Sequence, residues 1–209
     1  MIELSSKSLV YGRIQNAEPN ATFIATDFLD IADYNTVRKA LERLEDEGKI
    51  RRVIRGIYDY PFYSDLLKEY AEPSPHHVAM ALARNYKWNI APSGNTALNQ
   101  LGLSTQVTSR YQYISDGPYR KYQLDNIEIE FKHRNNKEIS GLSYKSAMVI
   151  QALKTLGSKH IDDKIIGKLQ RSLTDLEKKA LLKEAEQTTS WIYSTIKLIC
   201  GGQNRCTTL

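Results

Sequence analysis

Residues 35–58 read NTVRKALERLEDEGKIRRVIRGIY, and the pattern inside them decides the N-terminal fold. Val37, Leu41 and Leu44 recur at spacings of four and three, which lays one apolar stripe along a helix. Ala40 sits beside the stripe and permits close helix packing. Asn35 can cap the helix by accepting an orphan backbone N–H. Gly48 stops it, because glycine enters the left-handed region without steric cost. Beyond the stop, 50–54 and 57–60 are β-rich segments about a tight Arg55-Gly56 turn, the signature of a small hairpin.

Upstream, Thr26 can cap a short helix over 27–31, Asp33-Tyr34-Asn35 reads as a turn, and 6–14 supplies a first amphipathic helix. Helix, helix, helix, hairpin is the order of a winged helix-turn-helix. Downstream, Pro61 and Pro73-Ser74-Pro75 bracket a connector helix or linker over 63–70. A helix over 75–86 follows, then Pro92-Ser93-Gly94-Asn95 opening a short helix at 96–101. Strands are expected at 106–108, 111–114, 121–124 and 127–133, with Asp116-Gly117-Pro118 and Asp125-Asn126 as turns between them. Helices over 143–156, 162–170, 174–186 and 191–198 close the chain. The expected fold class is α+β: an N-terminal winged helix-turn-helix followed by a mixed α/β C-terminal domain with a small antiparallel sheet. The expected boundaries are 1–61 for the DNA-binding domain, 62–75 for a connector, 76–200 for the C-terminal domain and 201–209 for a flexible tail.

The 209 residues are 41% hydrophobic, enough for a packed core. Mean hydropathy is −0.47 and no apolar run approaches the roughly 20 residues that span a bilayer. The first residues lack the basic and apolar segments of a signal peptide. Cys200 and Cys206 are too few for a disulfide scaffold. A cytoplasmic protein without membrane association is expected. The net charge of +5 is modest, but its placement is informative. Between 38 and 55 seven basic residues (Arg38, Lys39, Arg43, Lys49, Arg51, Arg52, Arg55) face four acidic ones (Glu42, Glu45, Asp46, Glu47).

Reading DNA needs a helix in the major groove with donors near its N-terminus. With Val37, Leu41 and Leu44 inward, Thr36, Arg38, Lys39 and Arg43 lie outward. Arg38 or Lys39 suits a guanine edge, while Tyr34, Asn35 and Thr36 suit a base or phosphate. Arg51, Arg52 and Arg55 on the hairpin suit phosphate contact or minor-groove insertion. Against this, such charges also solvate ordinary helix and hairpin surfaces, with Arg43 paired to Glu47.

Two stretches together resemble the AbiEi-like antitoxins of type IV toxin–antitoxin and abortive-infection systems. The first is residues 35–44 running into 48–58. The second is PSGNTALNQLGLSTQ at 92–106, followed by Ser115-Asp116-Gly117-Pro118. The resemblance spans roughly residues 5–155. It implies a winged helix that binds inverted repeats in double-stranded operator DNA and represses its own operon. It also implies a C-terminal domain that counteracts a nucleotidyltransferase-type toxin, a functional rather than stably bound partner. The DNA-reading role then falls on Thr36, Arg38, Lys39 and Arg43, with Arg51, Arg52 and Arg55 on the wing. No catalytic motif transfers; Arg110, Arg120, Lys121, Lys132 and Arg134 are the candidate antitoxin surface. A monomer or a weak dimer on DNA satisfies an inverted repeat equally.

Asp116 with Glu130-Phe131-Lys132 has the order of a Mg²⁺-dependent nuclease motif. A two-sided strand with Glu128, Glu130 and Lys132 on one face explains the same residues without catalysis. His76, His77, His133 and His160 have no metal-ligand spacing, so neither metal nor cofactor is expected. Ser93-Gly94-Asn95-Thr96 suits a phosphate cradle or, more simply, a helix cap. Tyr111, Tyr113, Tyr119 and Tyr122 among basic residues suit stacking on single-stranded RNA, or the half-buried faces of strands. No enzymatic activity is expected. The alternative function is a winged-helix regulator whose C-terminal domain senses a ligand or dimerises.

Overall fold

A computed structural model describes residues 5–66, 68–135, 139 and 141–201. The chain is α+β and divides into two compact units, Met1–Trp88 and Asn89–Leu209. Among the described residues no helix is long and apolar enough to cross a membrane. The expected tail at 202–209, with Cys206, lies outside the described residues.

The first unit opens with α1 (Ser6–Gln15), capped by the Ser5 hydroxyl, which accepts from the Ser8 N–H. Strand β1 (Thr22–Phe23) leads into a 3₁₀ turn, Ala25–Phe28. Thr26 does not cap this turn; the Asp27 carboxylate does, accepting the Ile24 N–H at 3.0 Å. Helix α2 (Tyr34–Asp46) likewise takes Asp33, not Asn35, as its cap. Asp33 accepts the N–H groups of Asn35 and Thr36 and the Thr36 hydroxyl at 2.6 Å. A carboxylate suits this place better than an amide because it also meets the positive end of the helix dipole.

Val37, Ala40, Leu41 and Leu44 are buried as the stripe requires, packed with Val10, Ile14, Phe23, Phe28 and Ile50. Burial of each leucine contributes about 2 kcal/mol. Strands β2 (Arg51–Ile54) and β3 (Ile57–Asp59) form the expected hairpin, its turn eased by Gly56 at φ +78°. β1 adds antiparallel to β3, giving a three-stranded sheet in the order β1-β3-β2. Two residues gave β1 too little length to show in sequence.

The connector at 63–70 is neither helix nor linker. It is a hairpin of β4 (Tyr63–Ser64) and β5 (Glu69–Tyr70), with Tyr63 and Tyr70 edge to face at 5.2 Å. Lys68 adopts φ +57° to close the turn, and its N–H donates to the Ser64 carbonyl. Helix α3 (Pro75–Tyr86) belongs to the first unit, so the boundary lies after Trp88 rather than before residue 76. The side chains of α3 tie it there. Arg84 donates to the Thr22 carbonyl and to the Asp27 carboxylate, and the Thr22 hydroxyl donates to the His77 carbonyl.

The second unit contains β6 (Ile90–Pro92), α4 (Gly94–Gln100), β7 (Arg110–Ser115), β8 (Arg120–Leu124) and β9 (Ile127–His133). Residues 106–108, expected as strand, are irregular. The sheet order is β6-β7-β9-β8. The sheet is therefore not purely antiparallel: β7 and β9 run parallel, with Gln112 opposite Glu130. β9 takes the inner position because Ile129 and Phe131 are fully buried, while β8 carries exposed Arg120 and Lys121 that tolerate an edge. Helices α5 (Tyr144–Leu156), α6 (Asp163–Ser172), α7 (Asp175–Glu184) and α8 (Ser190–Ile199) build the helical core, with Val149, Leu153, Leu169, Ile192 and Ile196 inside.

Candidate functional site

On α2 the inward stripe leaves Tyr34, Asn35, Thr36, Arg38, Lys39 and Arg43 exposed. Thr36, Lys39 and Arg43 follow one another at spacings of three and four, so they share one face. Arg38 is engaged with Glu42 one turn on. Such an exposed pair is worth only about 0.3–0.5 kcal/mol and exchanges readily for a stronger anion. Lys39 and Arg43 form no ion pair with any described residue. The expected Arg43–Glu47 pairing does not form, because Lys49 and Lys7 occupy the Glu47 carboxylate and hold its pKa down to about 2.

The three hairpin arginines do different things. Arg51 is structural: its Nε and Nη2 donate to the two oxygens of Asp59, and Nη2 also donates to the Ala71 carbonyl. Asp59 is 1% exposed, and this fork is its charged partner. Arg51 is thereby withdrawn from the candidate contacts. Arg52 folds back onto Glu45 at 2.7 Å and lies over the Tyr58 ring, 5.6 Å from its centre. Its guanidinium pKa is raised by the hydrogen bond to Tyr58 and the carboxylates beside it. Arg55, at the turn, is exposed and makes no ion pair with a described residue. Period-two and period-3.6 patterns place these residues on faces, but only register reveals which are already paired.

In the second unit the β7–β9–β8 face carries Arg110, Gln112, Lys121, Glu128, Glu130 and Lys132. Arg110 Nε lies 2.8 Å from Glu128, and Lys121 Nζ lies 3.1 Å from the same carboxylate. Glu130 is 4% exposed and fully engaged. The Tyr119 hydroxyl donates to one oxygen at 2.6 Å and Gln112 Nε2 to the other at 2.8 Å. Lys132 Nζ is 3.6 Å away and Lys121 Nζ 4.0 Å. Burial would raise the Glu130 pKa, but the two donors and two ammonium groups outweigh it and leave it below its ordinary value.

Gln112 and Tyr119 were not foreseen at this site, since strand patterning alone does not tell which residue on β7 faces Glu130. Gly94 is the third residue of this arrangement. At φ +57° it lies against Gln112, and a Cβ there would come within 2.4 Å of the Gln112 amide oxygen.

The nuclease arrangement is not assembled. Asp116 receives the backbone N–H and side-chain amide of Asn89, at 2.9 and 2.7 Å. It follows Ser115, which is level with His133, whereas Glu130 is level with Gln112. Three residues along a strand separate those levels by about 10 Å. A shared ion needs oxygens about 2 Å from it. Among the described residues no group of three His, Cys, Asp or Glu could hold a metal.

Ser93 begins α4 without a side-chain cap bond, and the Thr96 hydroxyl accepts from the Gln112 N–H. The four tyrosines do not form a stacking row. Tyr113 is fully buried against Phe131, Tyr122 meets the same ring edge-on, and Tyr119 is spent on Glu130. Of the candidate antitoxin residues, Arg110, Lys121 and Lys132 are therefore paired. Arg120 and Arg134 make no ion pair with a described residue.

Over residues 10–181 the chain matches the family model described as DUF6088, a family of unknown function. The chain belongs to that family. No curated protein matches it. A crystal structure of the RV2827C protein from Mycobacterium tuberculosis aligns over 96% of this chain and 78% of that one, at 11% identity and a TM-score of 0.41. That likeness is too loose to carry an argument.

Proposed function

We propose that this DUF6088 protein is a DNA-binding autorepressor whose first unit is a winged helix-turn-helix, with α2 as the recognition helix and β2–β3 as the wing. The observation that carries the reading is the pair Lys39 and Arg43. Two cations one turn apart, without acidic partners among the described residues, stand on the outer face of a helix whose N-terminal turn exposes Tyr34, Asn35 and Thr36. Unpaired cations at that spacing fit phosphate and base edges in a major groove. Arg55 at the hairpin tip supplies the wing contact. Arg38 joins by releasing Glu42.

The resemblance of 35–58 and 92–118 to AbiEi-like antitoxins extends the proposal. The operator would be inverted repeats upstream of the gene, and the second unit would counteract a nucleotidyltransferase-type toxin. The deciding experiment is an anisotropy titration of the upstream duplex against a shuffled one, over a salt series with EDTA. Tighter binding to the upstream duplex, weakening as salt rises, supports the reading. Equal weak binding to both duplexes sinks it. A second reading, a winged-helix regulator whose C-terminal unit senses a ligand, gains from a cavity of about 500 Å³ lined by His133, Gln151 and Thr155.

A further inference from the structure

In the second unit α6 turns a face of cations outward. Lys164, Lys168 and Arg171 stand at i, i+4 and i+7, and all three are exposed. Ile165, Ile166 and Leu169 lie on the opposite side and pack into the helical core. None of the three cations forms an ion pair with a described residue. Asp162 caps the helix, its carboxylate accepting the Ile165 N–H at 2.8 Å, and Asp163 stands about 100° round the axis from Lys164. Asp175, beyond Arg171 in the chain, lies 3.7 Å from Lys178 instead. Lys168 Nζ donates to the Gly102 carbonyl at 3.0 Å, which holds the ammonium in place and leaves it two further donors.

Gly167 lies on the same face, between Lys164 and Arg171. Glycine inside a helix is destabilising relative to alanine. Here it leaves the surface among the cations without a side chain. Arg171 lies along that gap, its Nη1 3.4 Å from where a Cβ would stand. The result is a low strip of helix flanked by positive charge, onto which a chain of phosphates can settle closely.

We infer that this face of α6 is a second nucleic-acid contact, which grips the phosphate backbone of a duplex without reading its sequence. Seven residues of helix carry the cations over about 10 Å of axis. A duplex presents one charge per about 1.7 Å, so each cation has a phosphate within that length. A membrane surface fits less well: a helix lying in the interface inserts its apolar face, and that of α6 is already packed. A protein partner would meet no apolar or aromatic centre on this face. A single strand would find no ring to stack on. Every residue named belongs to the second unit, so the inference stands apart from the α2 reading.

The test is an anisotropy titration of the full chain over a salt series, with the shuffled DNA duplex and with an RNA duplex of the same sequence. Lys164→Gln, Lys168→Gln and Arg171→Gln together remove the charge and keep good helix formers. This triple variant should lower the slope of log affinity against log salt by about 3, close to one per cation. A loss on both duplexes marks backbone recognition in general, and a loss on one of them names the nucleic acid. Gly167→Ala should raise the thermal midpoint by about 2–4 °C while weakening the same duplexes, which a merely solvated face would not do. Loss of operator preference with the α6 slope retained would sink the α2 reading and leave this one intact. An unchanged slope for both duplexes in the triple variant overturns the inference. So does tighter binding to phosphatidylserine vesicles than to either duplex, which would assign the face to lipid.

Discussion

The outer face of α2 and the sheet face of β7, β9 and β8 carry similar basic residues and use them differently. On the sheet, Arg110 and Lys121 close on Glu128, while Lys121 and Lys132 flank a Glu130 already hydrogen-bonded to Tyr119 and Gln112. On α2, Lys39 and Arg43 meet no acid among the described residues. A count of lysines and arginines treats the two faces alike. The distinction lies in whether each cation already has an anion, and an external phosphate must displace that anion before it can bind.

The β2–β3 hairpin contains both kinds, so it offers the sharpest way to break the contrast. Asp59→Ala removes a buried carboxylate and with it the charged partner of Arg51. Because Arg51 is about one-third exposed, the loss should fall at the low end for a broken buried pair, about 3 kcal/mol by urea denaturation. Lys39→Ala with Arg43→Ala comes next. Their loss should weaken operator binding by about 2 kcal/mol and lower the salt slope by about 2, one per phosphate contact. Arg110→Ala with Lys121→Ala should leave both quantities unchanged. If the sheet pair weakens DNA binding as much as the helix pair, the contrast is wrong.

A smaller effect is expected at Glu130→Gln, which keeps an acceptor for Tyr119 but removes the attraction to Lys132 and Lys121: about 1 kcal/mol of stability at neutral pH. The folded carboxyl has a lowered pKa, so its contribution is fully present above the ordinary value of 4.5 and lost as pH falls through the folded value. The variant should therefore show a flatter stability profile below pH 4.5 than the parent. An unchanged profile would mean that the network holds its shape without the charge.

The smallest effect is at Glu47, on the surface between Lys7 and Lys49. Its contribution should be whole above 4.5 and fall away progressively as pH drops from 4.5 to about 2. Glu47→Gln should alter the acid limb only at low salt, since an exposed pair is screened.

Much of the first unit was legible because its signals are local. The Val37, Leu41 and Leu44 spacing, the Gly48 stop and the Gly56 turn each act within a few residues. The errors were also local. Asp33 outcompeted Asn35 as the cap, and the aromatic residues at 62–63 and 70 drew the supposed connector into a hairpin. In the second unit the strands at 111–114, 121–124 and 127–133 were readable as segments, but their order was not. Periodicity says which side of a strand is apolar, not which strand lies beside it. The partnerships of Glu130 with Gln112, and of Gly94 with the same residue, follow from strand order and stayed invisible.

The parallel contact of β7 with β9 sets the sequence of events by which the sheet assembles. β8 and β9 are joined by a tight turn through Asp125 and Asn126, and a hairpin of that kind closes in about 1–10 μs. β7 cannot meet β9 until the chain has travelled out along β8 and back, so it should receive the two strands as a finished ribbon. Lys121 would then already stand beside Glu130 when Gln112 arrives to complete its hydrogen bonds. Mutations in the ribbon should accordingly slow folding, while those at Gln112 should chiefly speed unfolding.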